Sequence, residues 1–320
     1  MLDALGRQIN YMRISITDRC NLRCRYCMPR DIPSVPHEVV LRYEEVLRLC
    51  RIAVGLGISR FRVTGGEPLA RKGAPEFLAA LREVPGVETL GLTTNGVLLA
   101  EALERLRPAK LDWVNISLDT LSPQRYHSLT GTDGLQSVLA GIHGALEEGL
   151  AVKLNAVLMR GVNEDEILSL ADMARRLPVD VRFIELMPVG AAQGMERIPG
   201  AEALAVIKKA YGDLTPSDAQ GNGPARYWQS ASLKGRIGFI NALGEHFCGG
   251  CNRVRLSSQG FLRLCLYQED GVDLRALLRS GVGDGEIARA MEQGIRAKPL
   301  GHCLDRGQDG GLQGLSGIGG

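Results

Sequence analysis

From residue 11 to residue 211, short runs of β-branched and aromatic side chains alternate with stretches whose apolar positions recur every three or four residues. The first period is that of a strand and the second that of a helix. Strands are predicted over 11–17, 58–64, 87–93, 111–117, 152–158 and 181–186. Helices are predicted over 43–55, 74–83, 97–106, 122–129, 135–148, 164–177 and 201–211. Ser122-Pro123 and Asn163-Glu164-Asp165 have the chemistry of helix starts. Six strand–helix units in succession imply a parallel sheet, either doubly wound or curved into a barrel. Residues 212–224, rich in Gly, Pro, Ser and Asp, read as a linker. Beyond them come strand-like pieces at 226–231, 236–241, 253–257 and 260–264, then helices at 273–280 and 285–296. Seven of the last fourteen residues are glycine, which composition alone reads as a disordered tail.

The 320 residues suffice for one large α/β domain with an extension. A net charge of +2 is too small to recruit nucleic acid or an anionic membrane, so a polyanionic ligand would need a local cluster of Arg and Lys. No apolar run approaches the roughly 18 residues of a membrane span. Residues 1–7 lack an apolar stretch behind a basic start, so no secretory signal is expected and the cytoplasm is the expected location. Eight cysteines in a reducing compartment are not a disulfide framework. Three fall within 20–27 and three within 248–265, which reads as metal binding, while Cys50 and Cys303 stand alone. Cys50, on an apolar helix face, reads as a small core residue.

Cys20, Cys24 and Cys27 are spaced C-x3-C-x2-C in the loop after the first strand, the end of a parallel strand where α/β enzymes place their chemistry. A structural zinc wants four protein ligands, and the nearest further Cys or His in sequence is His37, ten residues on. A 4Fe–4S cluster usually takes four thiolates. With three, one iron stays open, and in radical enzymes of this kind it binds the amino and carboxylate groups of S-adenosylmethionine. The other predicted strand ends are polar or bare: Thr64-Gly65-Gly66-Glu67-Pro68, Thr93-Thr94-Asn95-Gly96, Ser117-Leu118-Asp119 and Met187. The glycines at 65 and 66 would let backbone carbonyls approach a ligand amino group.

Cys248, Cys251 and Cys265 form a second trio, C-x2-C-x13-C. It reads either as a zinc site completed by His246 or as a second open cluster. Arg253 and Arg255, two apart on a predicted strand, share one face and would suit an anionic substrate beside the trio.

The segment that opens Tyr11-Met12-Arg13-Ile14-Ser15 and runs through Cys27-Met28-Pro29 resembles the opening of the GTP 3′,8-cyclases of molybdenum-cofactor biosynthesis. Arg62-Val63-Thr64-Gly65-Gly66-Glu67-Pro68, Arg182-Phe183-Ile184-Glu185-Leu186-Met187, Phe247-Cys248-Gly249-Gly250-Cys251-Asn252-Arg253-Val254-Arg255 and the final Gly319-Gly320 are similar too. The resemblance implies an incomplete (β/α)6 TIM-like barrel of the radical SAM type over residues 1–215, a C-terminal α+β extension carrying a second Fe–S cluster over 216–306, and a glycine-rich tail over 307–320 that reaches the active site. It implies a lyase that uses two 4Fe–4S clusters, on Cys20, Cys24 and Cys27 and on Cys248, Cys251 and Cys265. S-adenosylmethionine would lie near Tyr26, Gly66, Ser117 and Met187. GTP would be held by Arg13, Arg62, Thr93, Lys153, Arg253, Val254 and Arg255, with Arg60 and Arg182 as further triphosphate candidates. Arg13, Arg253, Arg255, Gly319 and Gly320 would serve catalysis.

In the implied reaction a 5′-deoxyadenosyl radical takes the ribose H-3′ of GTP, and the C3′ radical attacks guanine C8. An electron donor such as flavodoxin or ferredoxin, a downstream cyclic pyranopterin monophosphate synthase and a homodimeric state are also implied, with no membrane or nucleic-acid partner. Two rivals remain at this stage. A radical S-adenosylmethionine peptide-modifying enzyme with an auxiliary cluster domain usually carries more C-terminal cysteines than these three. A zinc-dependent nucleic-acid-binding protein sits badly with the small net charge.

Overall fold

The computed structural model describes residues 1–28, 35–212, 214–217, 223–244 and 247–301. Its first part runs β1 (Tyr11–Ser15), α1 (Tyr43–Gly55), β2 (Arg60–Thr64), α2 (Ala74–Arg82), β3 (Thr89–Thr94), α3 (Leu99–Leu106), β4 (Trp113–Ser117), α4 (Pro123–Thr130), α5 (Leu135–Glu147), β5 (Val152–Leu158), α6 (Ile167–Arg176), β6 (Val179–Glu185) and α7 (Gly200–Tyr211). The strands β1 to β6 pair in sequence order and all in parallel, as the alternation of periods requires. Ser122 caps α4 as expected, its side chain accepting the Arg125 N–H. Asn163 does not cap a helix. Its amide accepts the Met159 N–H at 2.9 Å and donates to the carbonyls of Asp119 and Val157 at 2.8 Å each, tying together the chain after β4 and the end of β5.

The C-terminal part adds β7 (Thr215–Ser217), β8 (Arg226–Gln229), β9 (Ile237–Ile240), β10 (Arg253–Leu256), β11 (Phe261–Arg263), β12 (Gly271–Asp273), α8 (Leu274–Arg279) and α9 (Asp284–Arg296). These strands join the same sheet at both of its edges, giving the order β12-β11-β10-β1-β2-β3-β4-β5-β6-β9-β8-β7. β9 runs parallel to β6, and β10 runs parallel to β1. The loop from β9 to β10, which contains Cys248 and Cys251, therefore crosses from one edge of the incomplete barrel to the other. The stretch read as a linker contains β7, which pairs antiparallel with β8. Pro216 is tolerated there because β7 is the outermost strand and needs no N–H for a further ladder.

Along β1 to β4 the two faces differ. Met12, Ile14, Phe61, Val63, Leu90, Leu92, Val114 and Ile116 are wholly buried in the hydrophobic core. The positions between them include Arg13, Arg62, Thr93 and Asn115. Parallel sheets are normally apolar on both faces, so the polar inner face demands a reason. Cys50 is wholly buried in the core on α1, as its helix face predicted.

Aromatic packing fixes the extension to β6. Phe183 on β6 and Phe239 on β9 are register partners with ring centroids 5.7 Å apart, and Trp228 on β8 meets Phe239 edge-on at 5.2 Å. Phe239→Ala should cost about 3–5 kcal/mol, since a buried Phe is replaced by a cavity. A denaturant or thermal melt checks this, and an unchanged midpoint would show that β9 is held by something else.

Candidate active site

The strand register lines up the inward positions in rows. Arg253, Tyr11, Arg60 and Thr89 stand side by side on β10, β1, β2 and β3. In the next row come Arg255, Arg13, Arg62, Gly91 and Trp113. Lys153 stands beside Asn115, and Arg182 beside Asn155. These side chains border a cavity of about 760 Å³, within the size range of small-molecule sites. Arg13, Arg60, Arg62, Lys153, Arg182, Arg253, Arg255 and Lys298 line it, and among the described residues no carboxylate does.

The cations are poorly compensated. Arg62, Arg182, Arg253 and Arg255 are each at most 8% exposed. Their Nε atoms are buried without a hydrogen-bond partner among the described residues. Burial, with Arg182, Arg253 and Arg255 nearby, pushes Arg62 down to about 10. Burial and the charges of Arg13 and Arg253 push Arg255 down to about 9. Burial, then Arg62, holds Arg13 well below its ordinary value. Burial and Arg182 bring Lys153 down to about 8. The Lys153 ammonium lies 5.5 Å from the centroid of the Trp113 ring. Gly91 makes room for that ring, because a Cβ there would fall 2.3 Å from Trp113 Cε2. Arg182 donates to Asn115 Oδ1 at 2.5 Å, and Asn115 donates to Thr93 Oγ1 at 3.1 Å, so one chain of bonds orients three polar groups.

Cys20, Cys24 and Cys27 sit in the loop beyond the C-terminal end of β1. The N–H groups of Cys27 and Met28 both donate to the Cys24 carbonyl at 3.0 Å, which winds the loop tightly. The loop rests on the end of β2: Gly66 N–H donates to Thr17 O at 2.7 Å and Glu67 N–H to Arg19 O at 2.8 Å. A Cβ on Gly66 would meet Arg19 O at 2.3 Å. Contact with this cysteine loop is thus a sufficient reason for the glycine, where the sequence had pointed to ligand approach. Glu67 is wholly buried and accepts from Thr94 Oγ1, Asn95 N–H and Leu69 N–H, yet burial still lifts it to about 7. The Asn95 amide lies 3.7 Å from Cys20 Sγ. Tyr26 donates to Asp119 Oδ2 at 2.8 Å, and burial lifts Asp119 to about 6.

The three thiols feel one another. Burial, then Cys20 and Asp119, pushes Cys27 up to about 12. Burial, then Asp119, Cys27 and Cys20, pushes Cys24 well above the ordinary thiol range. Three sulfurs and a carboxylate in mutual repulsion form a donor set suited to a cationic centre, which inverts this logic and deprotonates the thiols that bind it. His37 is exposed on a short 3-10 turn, His37–Val39.

Cys248, Cys251 and Cys265 all line the cavity. They stand near the start of β1: Asn252 O accepts the Tyr11 N–H at 3.2 Å, and Arg263, two before Cys265, pairs with Arg255. Burial raises the Cys251 thiol, but Arg253, Lys298 and Arg255 outweigh it and bring the thiol below its ordinary value. This trio therefore sits in a positive field, and it too offers three sulfurs to a cluster. Tyr267 hydrogen-bonds the Met187 sulfur, and Met187 and Cys265 each pack against the cluster of Val189, Leu266 and Tyr267. Among the described residues no three His, Cys, Asp or Glu side chains converge on a single-ion site. His246, which the zinc reading needs, lies outside the described residues.

Of the residues singled out from sequence, Arg13, Arg62, Thr93, Lys153, Met187, Arg253, Arg255 and the second cysteine trio line one cavity. Tyr26 and Gly66 lie toward the first trio, Ser117 ends β4, and none of the three is among that cavity's lining. Val254 is wholly buried in the hydrophobic core, on the opposite face of β10 from its two arginine neighbours, so its side chain is no ligand contact. Gly319, Gly320 and Cys303 lie outside the described residues. Sequence reasoning missed Tyr11, Trp113, Asn155, Tyr267 and Lys298 as lining residues. Strand alternation in Trp113-Val114-Asn115-Ile116-Ser117 and in Val152-Lys153-Leu154-Asn155 held the signal for Trp113 and Asn155.

The Radical SAM superfamily pattern matches residues 14–174, and the Molybdenum Cofactor Synthesis C pattern matches residues 179–304. The chain is 46% identical over 312 residues to the GTP 3′,8-cyclase of Moorella thermoacetica, covering 96% of each. It is 46% identical over 329 residues to that of Heliobacterium modesticaldum, covering 100% of each. Among solved structures, Streptococcus suis SuiB bound to S-adenosylmethionine superposes with a TM-score of 0.67 at 15% identity, over 91% of this chain and 68% of that one, which shows a shared fold. No helix among the described residues is long and apolar enough to cross a membrane. The chain belongs to the GTP 3′,8-cyclase family of radical S-adenosylmethionine enzymes.

Proposed function

We propose that this chain converts GTP to 3′,8-cyclo-7,8-dihydro-GTP, with the division of labour that follows. The observation that carries this reading is the cavity itself: eight cations and three thiols line it, with no carboxylate among the described residues. Cys20, Cys24 and Cys27 would hold a 4Fe–4S cluster, which would supply the electron for reductive cleavage of S-adenosylmethionine and hence for hydrogen abstraction from the ribose. Tyr26, Gly66, Ser117 and Met187 hold the S-adenosylmethionine. Cys248, Cys251 and Cys265, near the start of β1, would hold the second cluster beside the substrate cavity that they line. Arg13, Arg62, Thr93, Lys153, Arg253 and Arg255 bind GTP, with Arg60 and Arg182 added at the triphosphate. Val254 acts by carrying its two arginine neighbours to one face.

A tri- or tetra-anion needs this convergence of donors. Guanidinium forks fix the phosphates, and Tyr11, Trp113 and Phe247 wall the cavity against water. Residues 1–215 would serve radical generation and supply Arg13, Arg62, Thr93 and Lys153 to the substrate, residues 216–306 would add Arg253, Arg255 and the second trio, and Gly319 and Gly320 of the 307–320 tail are assigned to catalysis. A flavodoxin- or ferredoxin-type donor, a following cyclic pyranopterin monophosphate synthase, a homodimer and a cytoplasmic setting complete the reading.

Anaerobic incubation with GTP, S-adenosylmethionine and a strong reductant, followed by mass analysis, tests it directly. Wild type should give the cyclised triphosphate together with 5′-deoxyadenosine. Cys24→Ala should give neither product. Cys251→Ala should still give some 5′-deoxyadenosine without cyclisation, and normal cyclisation by this variant would sink the role given to the second trio. Deleting Gly319-Gly320 should leave iron content intact and abolish cyclisation.

The pH dependence has a defined sign. Lys153 titrates at about 8 in the ligand-free protein, and only its protonated form attracts phosphate. GTP affinity should therefore fall as pH rises through about 8. In Lys153→Met, affinity should be weaker at pH 7 and the fall near 8 should be lost. Titration calorimetry at several pH values reads both.

A further inference from the structure

Arg7 lies outside the cavity and has no part in the roles given above. Its guanidinium nevertheless places all five hydrogens on protein acceptors. The Nε donates to Asp3 Oδ2 at 2.6 Å. One terminal nitrogen donates to the carbonyls of Cys248 and Leu300 at 3.0 and 3.2 Å. The other donates to the carbonyls of Lys298 and Pro299 at 3.1 and 2.7 Å. A planar five-donor fork is the only side chain able to make this set of bonds. Asp3 accepts the N–H groups of Leu5 and Arg7 at 3.0 and 2.9 Å, so the pair is also locked into its own turn. The two side chains are 6% and 0% exposed.

The four carbonyls are informative. One belongs to Cys248. Lys298, bound through a second carbonyl, hydrogen-bonds the carbonyl of Leu264, the residue before Cys265. Lys298 also stands close enough to Cys251 and Cys265 for their charges to act on it. Two members of the second trio are thus tied to one guanidinium, Cys248 directly and Cys265 through Lys298. A merely adhesive N-terminal turn would not need to saturate a buried fork with backbone carbonyls from segments 241 to 293 residues away.

We infer that the buried Asp3–Arg7 pair is the clamp that positions the second cysteine trio, holding Cys248 and the Lys298–Cys265 side of the site at the spacing a three-thiolate cluster needs. This rests on the reading of Cys248, Cys251 and Cys265 as cluster ligands. Residues outside the ligand set that orient it commonly change metal affinity by about 10–100-fold.

The test uses full-length wild type, Arg7→Gln, Arg7→Lys and Cys251→Ala, each reconstituted anaerobically. Iron and sulfide per chain, circular dichroism, 5′-deoxyadenosine formation and the paramagnetic resonance signal with and without GTP are read. Wild type should hold about eight irons and Cys251→Ala about four, one cluster each way. Arg7→Gln should keep native circular dichroism and as much 5′-deoxyadenosine formation as Cys251→Ala. Its iron should drop toward about four per chain, and the GTP-dependent change in the resonance signal should vanish. Arg7→Lys keeps the charge but not the fork, and should restore little of either. An Arg7→Gln chain with wild-type iron and a wild-type GTP response overturns the clamp. Loss of both clusters or of the helical signal assigns Arg7 to general folding and overturns it equally. Cys251→Ala holding as much iron as wild type overturns the reading of the trio itself, and the clamp with it.

Discussion

Like charges confined to one cavity are the constraint around which this molecule is organised. Neighbouring strands stand about 4.8 Å apart, so cations on adjacent strands meet at roughly 5–7 Å. At an effective dielectric near 20, each such pair repels by about 2–3 kcal/mol. The lowered pKa values of Arg13, Arg62, Arg255 and Lys153 express burial first and that repulsion second. Such an arrangement costs stability in the free protein and is relieved when a polyanion enters. The outer face of the same strands compensates, since Met12, Ile14, Phe61, Val63, Leu90 and Leu92 are wholly buried beneath the helices.

β1 is the strand on which the two halves of the site meet. Its C-terminal end leads into the first cysteine loop, and its start lies beside the second trio. Arg13 stands between them, paired in register with Arg255 on one side and Arg62 on the other. That register exists because the extension returns to the sheet at β10, alongside β1, instead of forming a layer of its own. The extension therefore supplies both the second trio and two of the arginines that complete the cavity.

The helices and the six central strands were legible because each carries its own period. Cys20, Cys24, Cys27, Cys248, Cys251 and Cys265 were legible because thiol spacing is local. The edge strands β7 and β12 were not, since three residues give no measurable alternation and their pairing depends on distant partners. Asn163 was misread because an Asn before a helix can cap it or bridge two loops, and only the neighbouring strand ends decide. Gly66 invited a ligand-based reason when a backbone carbonyl nearby already demands it. Arg7 left no pattern at all, because four of its acceptors are carbonyls, which every residue possesses.

The two trios share a ligand count but not an environment. The first is surrounded by Asp119 and Glu67, and its thiols resist ionisation until a cationic centre arrives. The second faces Arg253, Arg255 and Lys298, which favour the thiolate at Cys251. The cations that ease ionisation of that thiol are the same side chains that line the cavity, so under the proposed function one set of charges would serve both a cluster and the anion beside it. At Cys20 the pull of Arg23 is too small to offset burial and Glu67. On the proposed assignment, the cationic cosubstrate would meet the side that holds Asp119 and Glu67, and the polyanionic substrate would meet the side that holds Arg253, Arg255 and Lys298.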